Sequence, residues 1–153
     1  MKSQFLIYLL LIPVALIVFL DEWIKSRALQ VFPEDFTLVS PKLFDFAVHK
    51  NYGLVFDIPF RLEFVVITSI IIGFLLLQIV CRNFLKRPKI TFPVLLILIG
   101  AFGNFYDRLA YGFTVDYIIV LGRSAINFSD MIIVLGVLSL LLFTQKNEKP
   151  ITC

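Results

Sequence analysis

Charge is scarce in this chain: only 16% of its 153 residues are Asp, Glu, Lys or Arg, against roughly 25% in an ordinary soluble domain. Histidine occurs once, as His49, and cysteine twice, as Cys81 and Cys153. A lone histidine without HExxH leaves no ligand set for a catalytic zinc, so neither a metal nor a cofactor is expected. The cysteines sit in no CxxC or other ligand spacing and read as isolated thiols. There is no GxSxG, and Ser129 has no histidine to work with. Ser26 beside Lys25 makes no Ser–Lys dyad, because adjacent residues on a helix do not face each other. Gly100 and Gly103 precede no GK[ST], which excludes a phosphate loop and leaves close helix packing. The net charge of +3 is small and gives no case for a nucleic-acid partner.

Apolar sequence fills the space that charge leaves. The chain is 59% hydrophobic, with a mean hydropathy of +0.94. Apolar runs cover residues 5–20, 64–80, 92–106 and 131–143. Each falls a little short of the ~20 residues a spanning helix needs, and each can recruit flanking polar residues at its ends, where a membrane tolerates them best. The reading is therefore an all-α membrane protein: one domain over residues 1–153, with transmembrane helices at about 5–27, 61–80, 91–110 and 127–144. No small-x-small cleavage site follows the first run, so it reads as a retained span rather than a removed leader.

Basic residues orient the spans. Arg82, Lys86, Arg87 and Lys89 lie between runs two and three, Lys2 precedes the first run, and Lys146 and Lys149 follow the last. The positive-inside rule puts these segments, and both termini, in the cytoplasm. Residues 21–63 and 107–130 then face outward. Leu43–Val48 and Gly53–Phe56 read as short strands, and Phe113–Leu121 as a further extended piece, rich in aromatic and β-branched residues. Pro33, Pro41 and Pro59 punctuate the first loop. A small extracytoplasmic β-sheet on the membrane surface is expected.

Charged groups at membrane depth are costly, so each needs a reason. Asp21, Asp107, Asp116 and Asp130 all fall at the outer ends of the expected helices, near Lys25, Asn51, Asn104, Arg108 and Asn127. Topology gathers them into one layer. Asp116 and Asp130 flank the second outer loop, and Asp116 stands in an otherwise apolar stretch. A carboxyl pair sharing one proton can activate water and polarise a carbonyl. The residues alone leave a plainer alternative open, in which each aspartate caps a helix or pairs with Arg108 or Arg123.

These residues carry a pattern. Gly103-Asn104-Phe105-Tyr106-Asp107-Arg108, Gly112-Phe113-Thr114-Val115-Asp116-Tyr117 and Asn127-Phe128-Ser129-Asp130 resemble the lipoprotein signal peptidases, the signal peptidase II family, whose blocks read roughly GNxxDR, GxVxDF and FNxAD. Asp21 with Lys25 resembles the family's D-x-x-x-K, and Asn51-Tyr52-Gly53-Leu54-Val55-Phe56 its NxGxxF. The resemblance spans about residues 5–143. It implies an aspartyl endopeptidase of the bacterial inner membrane. Such an enzyme removes signal peptides from prolipoproteins just before the diacylglyceryl-modified cysteine. The dyad falls by position on Asp116 and Asp130, with Asp21, Lys25, Asn51, Asn104, Asp107, Arg108 and Asn127 in support. The implied partners are diacylglyceryl-prolipoproteins and membrane lipid, with a monomer as the working unit. Glu22 stands where the family often has Gln, Ser129 where it has Ala, and the segment from Asp116 to Asp130 is short for the family.

Two other readings compete. One is a non-catalytic relative that binds precursors or lipids without cutting. The other is a transporter or channel subunit whose intramembrane acids carry protons or ions. A transporter should show paired Gly/Pro-broken spans in its two halves, whereas here the acids gather at one face.

Overall fold

The computed structural model describes residues 7–32, 43–53, 58, 60–84, 86–121 and 124–145. Its helices are α1 (Leu11–Val31), α2 (Leu62–Asn83), α3 (Pro88–Tyr111) and α4 (Phe128–Gln145). Its strands are β1 (Phe44–Asn51), β2 (Thr114–Val120) and β3 (Ser124–Ile126). The expected architecture of apolar helices with a small sheet is what the chain adopts. Among the described residues three helical stretches, Ile7–Val31, Leu62–Asn83 and Pro88–Tyr111, are long and apolar enough to cross a membrane. The fourth is apolar over Phe128–Thr144 but shorter. Its 18 residues reach about 27 Å at 1.5 Å per residue, just under a ~30 Å hydrocarbon layer.

The helices keep their large apolar side chains on the outside. Phe19 is 71% exposed, Phe74 59% and Leu142 66%, and on α2 only Val65 and Val80 are buried. Such a surface is stable in lipid and not in water. Inside, Val18 of α1, Leu96 of α3 and Ile132 of α4 form the core, with Leu11, Val14, Phe92 and Ile99 packed around it. Lipid gives little hydrophobic drive for helix association, so close packing must supply it. Glycine makes that possible between α3 and α4. A Cβ on Gly100 would lie 2.6 Å from the Ser129 carbonyl, and one on Gly136 2.9 Å from the Pro93 carbonyl. The packing role expected of Gly100 and Gly103 is therefore the one observed.

The ends of α3 follow local chemistry. Pro88 begins it, where a missing N–H costs nothing. Gly112 ends it at φ 83°, in the left-handed region, with its N–H bonded to the Arg108 carbonyl at 3.2 Å. That reversal sends the chain straight into β2. The sheet is antiparallel in the order β1-β2-β3, and its register sets His49 opposite Asp116 and Asn51 opposite Thr114, with an irregularity between Phe46 and His49. The strand expected at Leu43–Val48 is β1, and the extended piece expected at Phe113–Leu121 is β2. β3 is not among the expected strands. Ser124–Ile126 is three residues long, too short for its pattern to register. The strand expected at Gly53–Phe56 falls mostly outside the described residues, as do Pro33, Pro41, Pro59, Arg123, Lys2, Lys146, Lys149 and Cys153.

Candidate active site

The N-terminus of α4 organises the site. A helix start leaves four N–H groups without partners. Here Asp21 of α1 accepts from Phe128 N and Ser129 N, each at 3.2 Å, and Asn127 and Asp130 satisfy the other two between them. The Asn127 side-chain oxygen accepts from Asp130 N at 2.9 Å, while its carbonyl takes the first regular helix bond, from Met131 N at 3.3 Å. Asp130 returns the bond, accepting from Asn127 N at 3.2 Å. This is a reciprocal capping box with Asp in the place of Glu. The helix-capping alternative is thus true of one Asp130 oxygen. The other oxygen faces inward and accepts from Asn104 Nδ2 at 2.7 Å.

Asp116 sits in the middle of β2 and is only 1% exposed. One carboxylate oxygen accepts from Asn127 Nδ2 at 2.7 Å and the other from Asn51 Nδ2 at 3.1 Å. Asn127 therefore touches both aspartates. Its amide also reaches Asn104 Oδ1 at 3.1 Å and the Val115 carbonyl at 3.4 Å. The network fixes which way each amide points, with Asn104 offering its oxygen to Asn127 and its nitrogen to Asp130. Burial first, and then the like charge of Asp130, push the Asp116 carboxyl up to about 8, against the bond from Asn51 and the charge of Lys25. Asp130 is half-buried and more open to an approaching chain.

Beneath the pair lies a buried ionic cluster. Lys25, wholly buried, ion-pairs with Asp107 at 2.8 Å, Glu22 at 2.9 Å and Asp21 at 3.1 Å, and reaches Asn104 Oδ1 at 3.4 Å. Asp21 and Lys25 share a face of α1 at i, i+4, and Asn104 and Asp107 share a face of α3 at i, i+3. Asp107 also accepts from Val115 N at 3.1 Å, which ties α3 to β2 beside Asp116. Arg108 donates to the carbonyls of Asn104 at 3.2 Å and Gly53 at 3.4 Å, and its charge acts on Asp116, Asp130 and Asp107.

The structure brings Asp21, Lys25, Asn51, Asn104, Asp107, Arg108, Asp116, Asn127 and Asp130 into one connected network. Three further members are not singled out by the sequence. Glu22 pairs with Lys25, Tyr117 Oη donates to Asp21 at 2.6 Å, and Ser129 Oγ donates to Asp21 at 2.6 Å. Tyr117 has a signal: a tyrosine in an apolar strand needs a partner for its hydroxyl. Ser129 has none beyond its place next to Asp130. Among the described residues no group of His, Cys, Asp and Glu is arranged to hold a metal ion.

Comparisons with known proteins identify the family and the fold. A family model described as signal peptidase (SPase) II matches residues 13–146. A lipoprotein signal peptidase of Streptococcus thermophilus (strain CNRZ 1066) is 30% identical over 144 residues, covering 90% of this chain and 94% of the relative. One from Cellvibrio japonicus (strain Ueda107) is 31% identical over 137 residues, covering 83% of this chain and 81% of the relative. A solved bacterial membrane enzyme has the same fold, with a TM-score of 0.75 at 23% identity over 100% of this chain and 95% of that one. On a matched span that takes in every residue of the polar network, this multi-pass membrane protein belongs to the signal peptidase II family and is a protease.

Proposed function

We propose that this protease is an aspartic endopeptidase. Its substrates are diacylglyceryl-modified prolipoproteins, and it cuts just before the lipid-bearing cysteine. Asp116 and Asp130 are its catalytic pair. The observation that carries this reading is Asn127, whose amide binds Asp116 while its backbone and side-chain oxygen grip Asp130. Two carboxyls held by one residue in a largely desolvated site repel each other, and the pair retains a proton at neutral pH. One carboxylate takes a proton from water as its oxygen attacks the scissile carbonyl carbon. The protonated partner donates to the carbonyl oxygen. Collapse of the tetrahedral species breaks the C–N bond, and the leaving amine takes the proton. Asn51, Asn104 and Asn127 orient the carboxylates. Asp21, Lys25 and Asp107 hold the elements that carry them, and Arg108 offers a cation at the more open side.

The test is cleavage of a diacylglyceryl-modified precursor by the purified chain, with mass spectrometry of the new N-terminus. Cleavage before the modified cysteine is expected, with no cut in the unmodified precursor. The rate should fall as pH rises through about 8, because the last proton of the pair is then lost with Asp116. A rate that keeps rising well above that pH would remove the shared proton from the mechanism.

The site faces outward from a bacterial cytoplasmic membrane in this reading, with both termini in the cytoplasm and the chain acting as a monomer in lipid. The basic cluster Arg82, Lys86, Arg87 and Lys89 supports the orientation. A single cysteine introduced at Lys86 should label from the cytoplasmic side and one at Asp45 from the outside, in a background lacking Cys81 and Cys153. The reverse pattern would put the aspartates on the wrong face for exported precursors.

A further inference from the structure

Asp21 lies far from both proposed catalytic aspartates in sequence, yet its buried carboxylate takes donors from both elements that carry them. One oxygen accepts from Tyr117 Oη at 2.6 Å and Phe128 N at 3.2 Å. The other accepts from Ser129 Oγ at 2.6 Å and Ser129 N at 3.2 Å, and faces Lys25 at 3.1 Å. Tyr117 directly follows Asp116 in β2, and Ser129 directly precedes Asp130 in α4. The two shortest contacts to Asp21 are therefore hydroxyls borne by the immediate neighbours of the pair, one on each side.

Neither hydroxyl is placed to meet a substrate. Tyr117 is 7% exposed and Ser129 is fully buried. Ser129 is wedged against α3, where a Cβ on Gly103 would lie 2.5 Å from its Oγ. Successive strand residues point to opposite faces, so Tyr117 turns away from the face that carries Asp116. What the hydroxyls can do is fix how far β2 stands from the start of α4. That distance sets the repulsion between two carboxyls and hence the range over which they share a proton.

We propose that Tyr117 and Ser129 are positioning residues of the proteolytic reaction in this chain, their hydroxyls, at positions where the family pattern carries Phe and Ala, clamping β2 and the N-terminus of α4 onto Asp21 and so setting the separation of this chain's aspartate pair. This rests on reading Asp116 and Asp130 as the dyad. Burial, and then the bond to Asp21, push the Tyr117 phenol far above its ordinary range, so it stays a donor throughout the working pH range. The other ionisable groups facing the pair are Asp21, Glu22 and Lys25 from α1, His49 from β1, and Asp107 and Arg108 from α3. Removing either hydroxyl leaves all of these groups in place but takes one donor from Asp21. A change in the field of Asp21 would move both limbs of the pair's titration the same way, whereas a wider spacing draws them together.

The experiment compares Tyr117→Phe and Ser129→Ala with the parent on a diacylglyceryl-modified precursor, with kcat and KM followed across pH and normalised to folded protein from melting curves. Asp116→Asn and Asp130→Asn are run alongside. Each hydroxyl deletion should lower kcat roughly tenfold with KM unchanged, short of the ~10²-fold that a 1 Å misplacement can cost. The two limbs of the kcat profile should draw together, because carboxyls further apart repel less. Parent kcat and parent limbs in both variants would overturn the clamp, as would a fall in kcat with unmoved limbs or an effect in only one variant. Turnover surviving in either Asp→Asn variant would instead sink the dyad itself.

Discussion

Replacing Asp116 or Asp130 by Asn is expected to abolish cleavage while leaving the protein folded and inserted. Asn keeps the size of the side chain and part of its hydrogen bonding but cannot exchange a proton. The loss should reach at least the 10²–10⁴-fold typical of general acid–base catalysis. Stability should separate these variants from ordinary damage. The Asp116 carboxyl is pushed up to about 8 in the fold, against an ordinary value near 3.9 in the unfolded chain. Between those values the folded state holds a proton that the unfolded state has released, so stability falls as pH rises and the full cost is present above the higher value. The Asp116→Asn variant carries no such cost. Its melting temperature should match the parent's in acid and rise relative to it as pH climbs from about 4 to about 8. The measurement is a melting series in detergent beside the cleavage assay. An Asp116→Asn protein that melts progressively earlier than its parent over that range, or that still turns over, would remove Asp116 from the dyad.

Much of this is readable from residue order because a membrane restricts the choices. Apolar runs of this length become helices there, since lipid satisfies no backbone group, and the runs at 64–80, 92–106 and 131–143 fall within α2, α3 and α4. The aspartates stand out for the same reason. Asp116 within an apolar stretch has to have partners, and Asn51 and Asn127 provide them. What stays hidden is connectivity across elements. Asp21 and Lys25 are four positions apart on α1, and that spacing shows that they share a face. It does not show that Asp107, 82 positions beyond Lys25 (107 − 25), closes on the same ammonium. Likewise the start of α4 can be located from Asn127, but its capping by a carboxylate of α1 depends on helix packing set by Gly100, Gly103 and Gly136. β3 escapes a reading of the sequence because three residues carry no periodicity. The Arg108 alternative resolves only in three dimensions, where its guanidinium bonds carbonyls while acting on the aspartates through its field.

Lys25 should prove the most sensitive position for stability. It is a buried cation shared by Asp21, Glu22 and Asp107, and the cluster holds more acid than base. Lys25→Met fits the stem's volume but strands the carboxylates without a counter-charge. Breaking one buried pair costs about 3–5 kcal/mol, and here three are lost together, so the variant should accumulate poorly and melt far below the parent. Asp107→Asn is expected to be milder, at roughly 1.5–3 kcal/mol for a lost charged hydrogen bond, since an amide oxygen can still accept from Val115 N and Lys25 keeps two carboxylates. Its activity should fall mainly with the amount of folded protein. The double variant distinguishes this account from general fragility. In the parent, removing the charge of Asp107 takes a partner from Lys25 and destabilises. In the Lys25→Met background the same change removes one of the stranded charges, so it should stabilise. Residues that share one network are expected to be non-additive in this way. The reversal of sign is read from the melting temperatures of the parent, the two single variants and the double variant in one detergent. If Asp107→Asn destabilises both backgrounds equally, Lys25 and Asp107 act independently, and the ionic cluster is not what holds α1, α3 and β2 together beneath the aspartates.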